Sequence, residues 1–407
     1  MKIAVIGAGA AGLLCAAECG AMGADVTLYE KNEKVGRKLA ITGKGRCNLT
    51  NDCEPDEFIK NVVSNPRFLM SAIYGFSPSD TMALFEGLGV ELKTERGRRV
   101  FPSSDKSYDV VDALWRYAKE NARIIHDTVT DIIVDNGKVT GVITSKGESR
   151  YDRVIVATGG KSYPLTGSTG DGYKFAKAAG HTVTALSPSL IPLTSREAIC
   201  PSLMGLSLKN SSLRIIHDKS GKCIYEDFGE MLFTHFGLSG PMVLSASSHL
   251  SKVHPSECTA VIDIKPALDE KTLDAKLLTV FGEAKNKDFE NAIRPLMPQK
   301  LAEYMPTYLG IDKRKKINEI TKEERRRLLE ALKGLRVKLS GFRPIEEAII
   351  TRGGVNVKEI YPASMKSKLC EGLYFIGEVL DLDAYTGGYN LQIAFSTAIA
   401  AARDAIS

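Results

Sequence analysis

Lys2-Ile3-Ala4-Val5-Ile6-Gly7-Ala8-Gly9-Ala10-Ala11-Gly12 opens the chain, and Asp25-Val26-Thr27-Leu28-Tyr29-Glu30 follows one helix-length later. The order reads as strand, tight glycine turn, helix from Ala11 to Met22, second strand, acid. In such a unit the first glycine permits the turn, the second lets a pyrophosphate approach bare backbone, and the third lets helix and strand pack closely. The amides around Ala10 and Ala11 then point at the anion. Glu30 is placed to accept from a ribose hydroxyl, and its charge repels a 2′-phosphate. The stretch therefore predicts a dinucleotide site in an α/β fold.

The chain has 407 residues, a net charge of +5 and eight cysteines. That length suggests about two or three domains. The mild charge, with no basic stripe interleaved with aromatics, leads us to expect no nucleic-acid partner. No CxxC pair is present, so no metal site is expected. Cys15 and Cys19, inside the first helix, read as small buried apolar residues. The early apolar run is too short for a signal core, and Glu18 with five glycines argues against a membrane span between Gly7 and Ala24. A cytoplasmic protein with no membrane partner is expected; oligomeric state is not legible.

Residues 31–54 read as a long loop. Ser77-Pro78-Ser79-Asp80 reads as a helix start. Asp135-Asn136-Gly137 joins strands Thr128–Val134 and Lys138–Thr144 in a hairpin, and Arg153–Ala157 is a buried strand. From about Leu186 prolines punctuate short β-prone runs, among them 213–216 and 260–264. From Pro266 to Gly334 the pattern turns helical, with Leu273, Leu277, Leu278 and Phe281 on one face and a capping box at Thr321 and Glu324. The basic runs Lys313–Lys316 and Arg325–Arg327 read as a solvated helix face rather than an anion site. After Gly341 the first texture returns: Leu373–Ile376 is a strand and Leu391–Ile406 a helix. The expected domains are a dinucleotide-binding domain of 1–186 and 341–407, a β-rich insert of 187–265 and 335–340, and a helical insert of 266–334.

The rest of the chain selects the cofactor. Lys31 and Gly36-Arg37-Lys38 follow the acid, offering cations to phosphate or ribose oxygens. Ala157-Thr158-Gly159-Gly160 ends a strand in glycines. Gly377-Glu378 does the same near the C-terminus, with a carboxylate for ribitol hydroxyls. Gly387-Gly388-Tyr389-Asn390-Leu391 opens a helix whose amides suit the pyrimidine edge of a flavin. Four such elements around one fingerprint point to FAD rather than NAD.

Val35–Lys38 continues through Ile41-Thr42-Gly43-Lys44-Gly45-Arg46-Cys47-Asn48-Leu49-Thr50-Asn51. With Phe233–Pro241, Gly377–Asp381 and Thr386–Gln392, this resembles the BaiN-like (YhiN-like) bacterial flavoproteins, often labelled an aminoacetone oxidase family. The resemblance spans nearly the whole chain. It implies a two-dinucleotide-binding-domain flavoprotein type, in which a discontinuous Rossmann-type FAD domain carries a β-barrel-like insert and a helical insert. It places the family's flavin-loop motif on Gly43, Gly45, Arg46, Cys47 and Asn48, and its C-terminal motif on Gly377, Glu378, Gly387, Gly388, Tyr389 and Asn390. It sets Val129 where related flavoproteins bond adenine through backbone. Lys44 and Ala384-Tyr385 depart from the commonest family pattern.

The resemblance implies reduction of a conjugated C=C bond in a hydrophobic, bile-acid-like enone, driven by NAD(P)H. No second GxGxxG follows a strand, so NAD(P)H is expected as a transient electron donor. Gly167–Gly172 reads as structural or flavin-side. His235 is read either as acid or substrate anchor or as a structural histidine. Arg46 either holds the flavin or polarises a carbonyl. Cys47 reads as packing rather than redox-active, although a lowered thiol pKa is an alternative. Two other functions stay open, a flavin amine oxidase and a non-catalytic or RNA-associated flavoprotein.

Overall fold

A computed structural model describes residues 1–407. The chain divides into two compact units, Met1–Ser189 with Ile345–Ser407, and Leu190–Pro344.

The first unit is built on a five-stranded parallel sheet. Its order is Leu373–Phe375, Arg153–Val156, Lys2–Ile6, Asp25–Glu30, Arg123–His126. The three inner strands are buried over residues 3–6, 26–30 and 154–156, as a parallel sheet covered on both faces requires. Helix Ala10–Ala21 packs against helices Ser107–Asn121 and Tyr389–Ala405. Strand Leu373–Phe375 pairs with Arg153–Val156, so the chain's C-terminal segment returns to the sheet its first residues began.

A three-stranded antiparallel sheet, Val129–Asp135, Lys138–Thr144 and Gly147–Arg150, joins this unit. Asn136 and Gly137 have φ of +48° and +77°, the two left-handed residues of a hairpin turn matched to strand twist. Ser77 caps helix Pro78–Gly87 with a reciprocal Ser77–Asp80 capping box. Residues 31–54, read as loop, contain helix Arg37–Gly45, broken at Thr42–Lys44, and the short strand Thr50–Asn51. Strand Arg123–His126 was not legible, being four residues with charged or polar ends directly after a long helix.

The second unit holds a seven-stranded antiparallel sheet. Its order is Leu335–Lys338, Cys258–Asp263, Ser207–His217, Cys223–Thr234, Gly237–Ser239, Leu193–Thr194, Gly341–Phe342. The two end strands are consecutive in the chain. Leu339 N–H donates to Cys258 O (3.1 Å) and Ser340 N–H to Thr194 O (2.8 Å), so the sheet curls toward a barrel. Helices Glu270–Glu283, Gln299–Leu309 and Lys322–Lys333 share one core with these strands: Leu273, Leu277, Leu301 and Leu332 join Leu213, Ile215 and Phe233. The Thr321–Glu324 capping box forms. Leu278 does not share the buried stripe; it is 49% exposed, because 273, 277 and 281 already complete the face. No helix is long and apolar enough to cross a membrane.

A buried polar chain anchors segment 356–371 of the first unit. Ser367 Oγ accepts from the N–H groups of Leu369 (3.0 Å) and Cys370 (2.8 Å), so its own proton goes to His181 Nε2 at 2.7 Å. That leaves the proton on Nδ1, which faces Glu359 at 3.2 Å. Burial holds the His181 pKa below its ordinary value, partly opposed by Glu359. Glu359 is held low mainly by its bonds to Thr182 and His181, against burial. On unfolding His181 takes up a proton once pH falls below about 6.5. Its contribution to stability is therefore complete above that pH and is lost progressively below it; the Glu359 contribution is lost only below about 4.5. We expect the urea midpoint to fall as pH drops below about 6.5, and the His181→Gln variant to lose most of that slope at a cost of about 1 kcal/mol at neutral pH. Parallel pH profiles for the two proteins would contradict this.

Candidate flavin site

The three glycines of the opening turn meet three different constraints. Gly7 has φ of +102°, and a Cβ there would lie 2.8 Å from Ala157 O. A Cβ on Gly12 would lie 1.8 Å from Gly7 O. A Cβ on Gly9 would meet nothing within 4 Å. Two glycines are thus needed by the protein itself, and the middle one faces open space. Helix Ala10–Ala21 begins there with no side-chain cap, so the amides of Ala10, Ala11 and Gly12 are left for an anion.

Glu30 ends the second strand and is 8% exposed. Its Oε2 accepts from Ala8 N–H (2.8 Å); its Oε1 accepts from Asn32 N–H (2.9 Å) and Asn32 Nδ2 (2.6 Å). The carboxylate is thereby fixed beside the glycine turn. Asn32, which sequence reading passed over, also receives Arg37 Nη1 at 2.9 Å. The Lys31 ammonium is engaged by Asp171 (2.6 Å) and Thr169 (2.5 Å). Gly36, with φ of +64°, donates to Ala8 O (2.8 Å) and starts helix Arg37–Gly45.

That helix carries Lys38 to a second cluster. Lys38 Nζ bonds Glu378 Oε2 (2.6 Å) and Ser162 Oγ (2.7 Å), though Lys38 and Glu378 are 340 residues apart in the chain. Glu378 Oε1 accepts from Thr351 N–H (2.9 Å) and Ser162 Oγ (3.1 Å). A Cβ on Gly160 would come within 2.4 Å of Thr351 Oγ1 and 2.9 Å of Glu378 Oε1, so the cluster closes only over a glycine. Gly159 (φ +71°) and Gly377 (φ +68°) make the adjoining turns, next to Ala157, whose N–H pairs with Ile6 O (2.9 Å). The Thr158 hydroxyl beside them is buried without a partner. Ser162 and Thr351 had no sequence signal, being ordinary residue types joined only by the fold.

The third part joins loop 43–51 to the last helix. Gly43, Lys44, Gly45 and Cys47 all have left-handed backbone, and for lysine and cysteine this is strained. With its carboxamide turned to satisfy its neighbours, Asn48 accepts from Gly388 N–H (3.0 Å) and donates to Thr50 O (3.1 Å). Asn51 Nδ2 donates to Gly387 O (3.1 Å), and a Cβ on Gly388 would lie 2.2 Å from Thr50 O. Helix Tyr389–Ala405 starts at Gly388 with no side-chain cap. The Asn390 carboxamide clamps the backbone of Ala384 and Tyr385, Tyr389 sits edge-on to Phe58, and Leu391 is half-buried, so this terminus offers amides rather than side chains.

The remaining candidates are placed as follows. Arg46 is bound by Glu95 and Asp105 and lies 4.2 Å above the Phe101 ring; those carboxylates, Glu95 first, hold its guanidinium cationic. Cys47 is fully buried, and burial pushes its thiol up to about 12. Val129 opens the hairpin of the first unit, paired with Thr144. Gly170 starts helix Asp171–Ala178. His235 belongs to the second unit, exposed in the turn between strands Cys223–Thr234 and Gly237–Ser239, with Phe236 at its edge (5.0 Å).

This donor set fits FAD. Uncapped amides and the open face of Gly9 suit a pyrophosphate, Glu30 a ribose, and the Lys38–Glu378–Ser162 cluster with the orphaned Thr158 hydroxyl a polyol. A second uncapped helix start suits a polar ring edge. Gly9→Val should cost the apoprotein no more than a helix-cap change, about 1 kcal/mol, since nothing of the protein is in the way, and raise the Kd for FAD at least about tenfold, which corresponds to about 1.4 kcal/mol of binding. Gly12→Ala should instead destabilise the apoprotein itself. A wild-type Kd for FAD in Gly9→Val would contradict this assignment. For Cys47, iodoacetamide at pH 8 should label exposed Cys223 in the native protein and leave Cys47 unmodified, and Cys47→Ala should keep its FAD. Labelling of Cys47 at the rate of Cys223 would restore a redox reading.

The model of the HI0933-like protein Rossmann domain family matches residues 1–404. A ribosomal RNA dihydrouridine synthase of Haemophilus influenzae is 32% identical over 408 residues, covering 98% of this chain and 96% of that protein. A 3-dehydro-bile acid delta(4,6)-reductase of Clostridium scindens is 28% identical over 413 residues, covering 99% and 98%. Among solved structures, a 3-ketosteroid-delta4-(5alpha)-dehydrogenase of Rhodococcus jostii superposes with a TM-score of 0.54 at 16% identity, covering 100% of this chain and 97% of that one, which is a likeness of fold. The chain belongs to the HI0933-like family of Rossmann-type, FAD-dependent flavoprotein oxidoreductases.

Proposed function

We propose that this chain adds two hydrogens across a C=C bond conjugated to a carbonyl, with NAD(P)H as donor and a uracil ring of ribosomal RNA as substrate. One observation carries the reading. Two relatives that match the chain from end to end are named for reductions at very different substrates, a base in RNA and an oxidised bile acid. The bonds concerned share one chemistry, because C5=C6 of uracil and the alkenes of a 3-oxo-4,6-diene are each conjugated to a carbonyl. The RNA substrate is put first because that relative has the higher identity. The bile-acid-type enone is the second reading, supported by the Clostridium relative.

When bound, FAD supplies the hydride equivalent for the electron-poor carbon. The chain's own residues do the rest. Glu30, the glycine turn and the Lys38–Glu378 cluster hold the cofactor extended. The uncapped amides of Tyr389–Leu391 favour negative charge by roughly 0.3–1 kcal/mol, more where partly buried. The neighbouring carbon needs a proton. Arg46 is paired with two carboxylates and does not lose its proton, so it is not the donor in this reading.

Anaerobic titration tests the proposal. NADH or NADPH should bleach the bound flavin, and ribosomal RNA lacking the modification should restore its colour and gain the mass of two hydrogens. Restoration by a 3-oxo-4-ene steroid acid, with RNA inert, would select the second reading. Absence of bleaching by either nicotinamide would overturn the proposal, and peroxide release from an aminoketone without one would overturn it in favour of an amine oxidase.

A further inference from the structure

Two lysine-rich stretches, distant in sequence, lie side by side in the second unit. Asn318 N–H donates to Lys285 O (3.1 Å), Ile317 N–H to Lys287 O (3.2 Å), Phe289 N–H to Lys315 O (2.9 Å) and Glu290 N–H to Lys313 O (3.2 Å). These four bonds zip 285–290 against 313–318 and gather Lys285, Lys287, Lys313 and Arg314, all exposed, into one knuckle. Neighbouring cations are compensated: Lys316 by Asp288 (2.7 Å) and Lys315 by Glu324 (2.7 Å). The other basic run of this unit is also spent within the protein. Arg325 binds Asp274, Arg326 binds Glu323 and Glu330, and Arg327 donates to Leu309 O.

No carboxylate lies within ion-pair distance of Lys285, Lys287, Lys313 or Arg314, and the nearby Asp312 carboxylate caps the Arg314 N–H (2.9 Å). The first unit is close to neutral, so the chain's +5 excess resides in the second. Four neighbouring cations repel one another until an anion joins them, and a polyanion with several phosphates is the partner that can engage all four at once. The knuckle has no exposed large apolar side chain between residues 279 and 327, so it lacks what a helix needs to lie in a bilayer.

We infer that this knuckle is a docking surface for RNA phosphates. The inference rests on the RNA reading above and deepens it. The experiment uses the FAD-loaded protein and a variant carrying Lys285→Gln, Lys287→Gln, Lys313→Gln and Arg314→Gln together; all four are exposed surface changes. Binding to fluorescent single-stranded RNA, deproteinised ribosomal RNA and phosphatidylglycerol vesicles is measured across salt concentrations. Each phosphate contact to a single strand contributes about 0.7 to the slope of log K against log salt, so the variant's slope should fall by about 2 to 3 and its affinity at physiological salt at least about tenfold. FAD content should not change.

Equal affinity and slope for the two proteins would overturn the inference, as would wild-type binding to vesicles with RNA left free. The two proposals fail separately. RNA binding through the four cations with no uracil reduced removes the substrate and leaves the docking surface. RNA reduced by the variant at the wild-type rate and salt dependence removes the docking surface and leaves the substrate.

Discussion

There is no room for a methyl group where the first helix meets the glycine turn at its start and helix Ser107–Asn121 near its end, and the site follows from that. The helix starts with Gly12 against the Gly7 carbonyl and passes Asn121 O with Gly20, where a Cβ would lie 1.8 Å away. Between these points Leu13–Ala17 and Cys19 are fully buried. Small residues let the helix lie deep between two others, with its N-terminus held at the carboxyl end of the parallel sheet. In open α/β sheets that end is where ligands bind. The exposed side of Gly9 is what this packing leaves over.

The second constraint is the return of the chain. Strand Leu373–Phe375 sits at the sheet edge and delivers Gly377 and Glu378 to Gly160 and Lys38. Helix Tyr389–Ala405 then covers the first helix and brings Gly387 and Gly388 to Thr50 and Asn51. The residues that would hold a cofactor therefore come from both ends of the polypeptide and assemble only when the sheet is complete. A ligand that binds only this assembled state stabilises it by mass action, so FAD acts on the whole first unit rather than on one loop.

Features that depend on a few consecutive residues were legible in the sequence. The glycine turn with Glu30, the Asn136-Gly137 hairpin, and the capping boxes at Ser77 and Thr321 each carry their geometry in local chemistry. What the fold alone decides was not legible. Strand Arg123–His126 has too little apolar character to announce itself, and the helix at Arg37 was hidden by its glycines. Asn32, Ser162 and Thr351 became site residues through partners far away or through backbone geometry. The basic run 313–316 was visible in the sequence, but it lies in a turn and bridge rather than on a helix face, and its place beside Lys285 and Lys287 was not legible because only the fold joins the two stretches.

If the first unit binds as its geometry indicates, it holds one FAD in an extended pose between the glycine turn at residues 7–12 and the helix start at 387–391. Denaturing the purified, folded protein and quantifying the released flavin by chromatography tests it most directly. FAD should be released at close to one per chain. Release of FMN, or a folded protein that carries no flavin and takes up none when FAD is supplied, would contradict it.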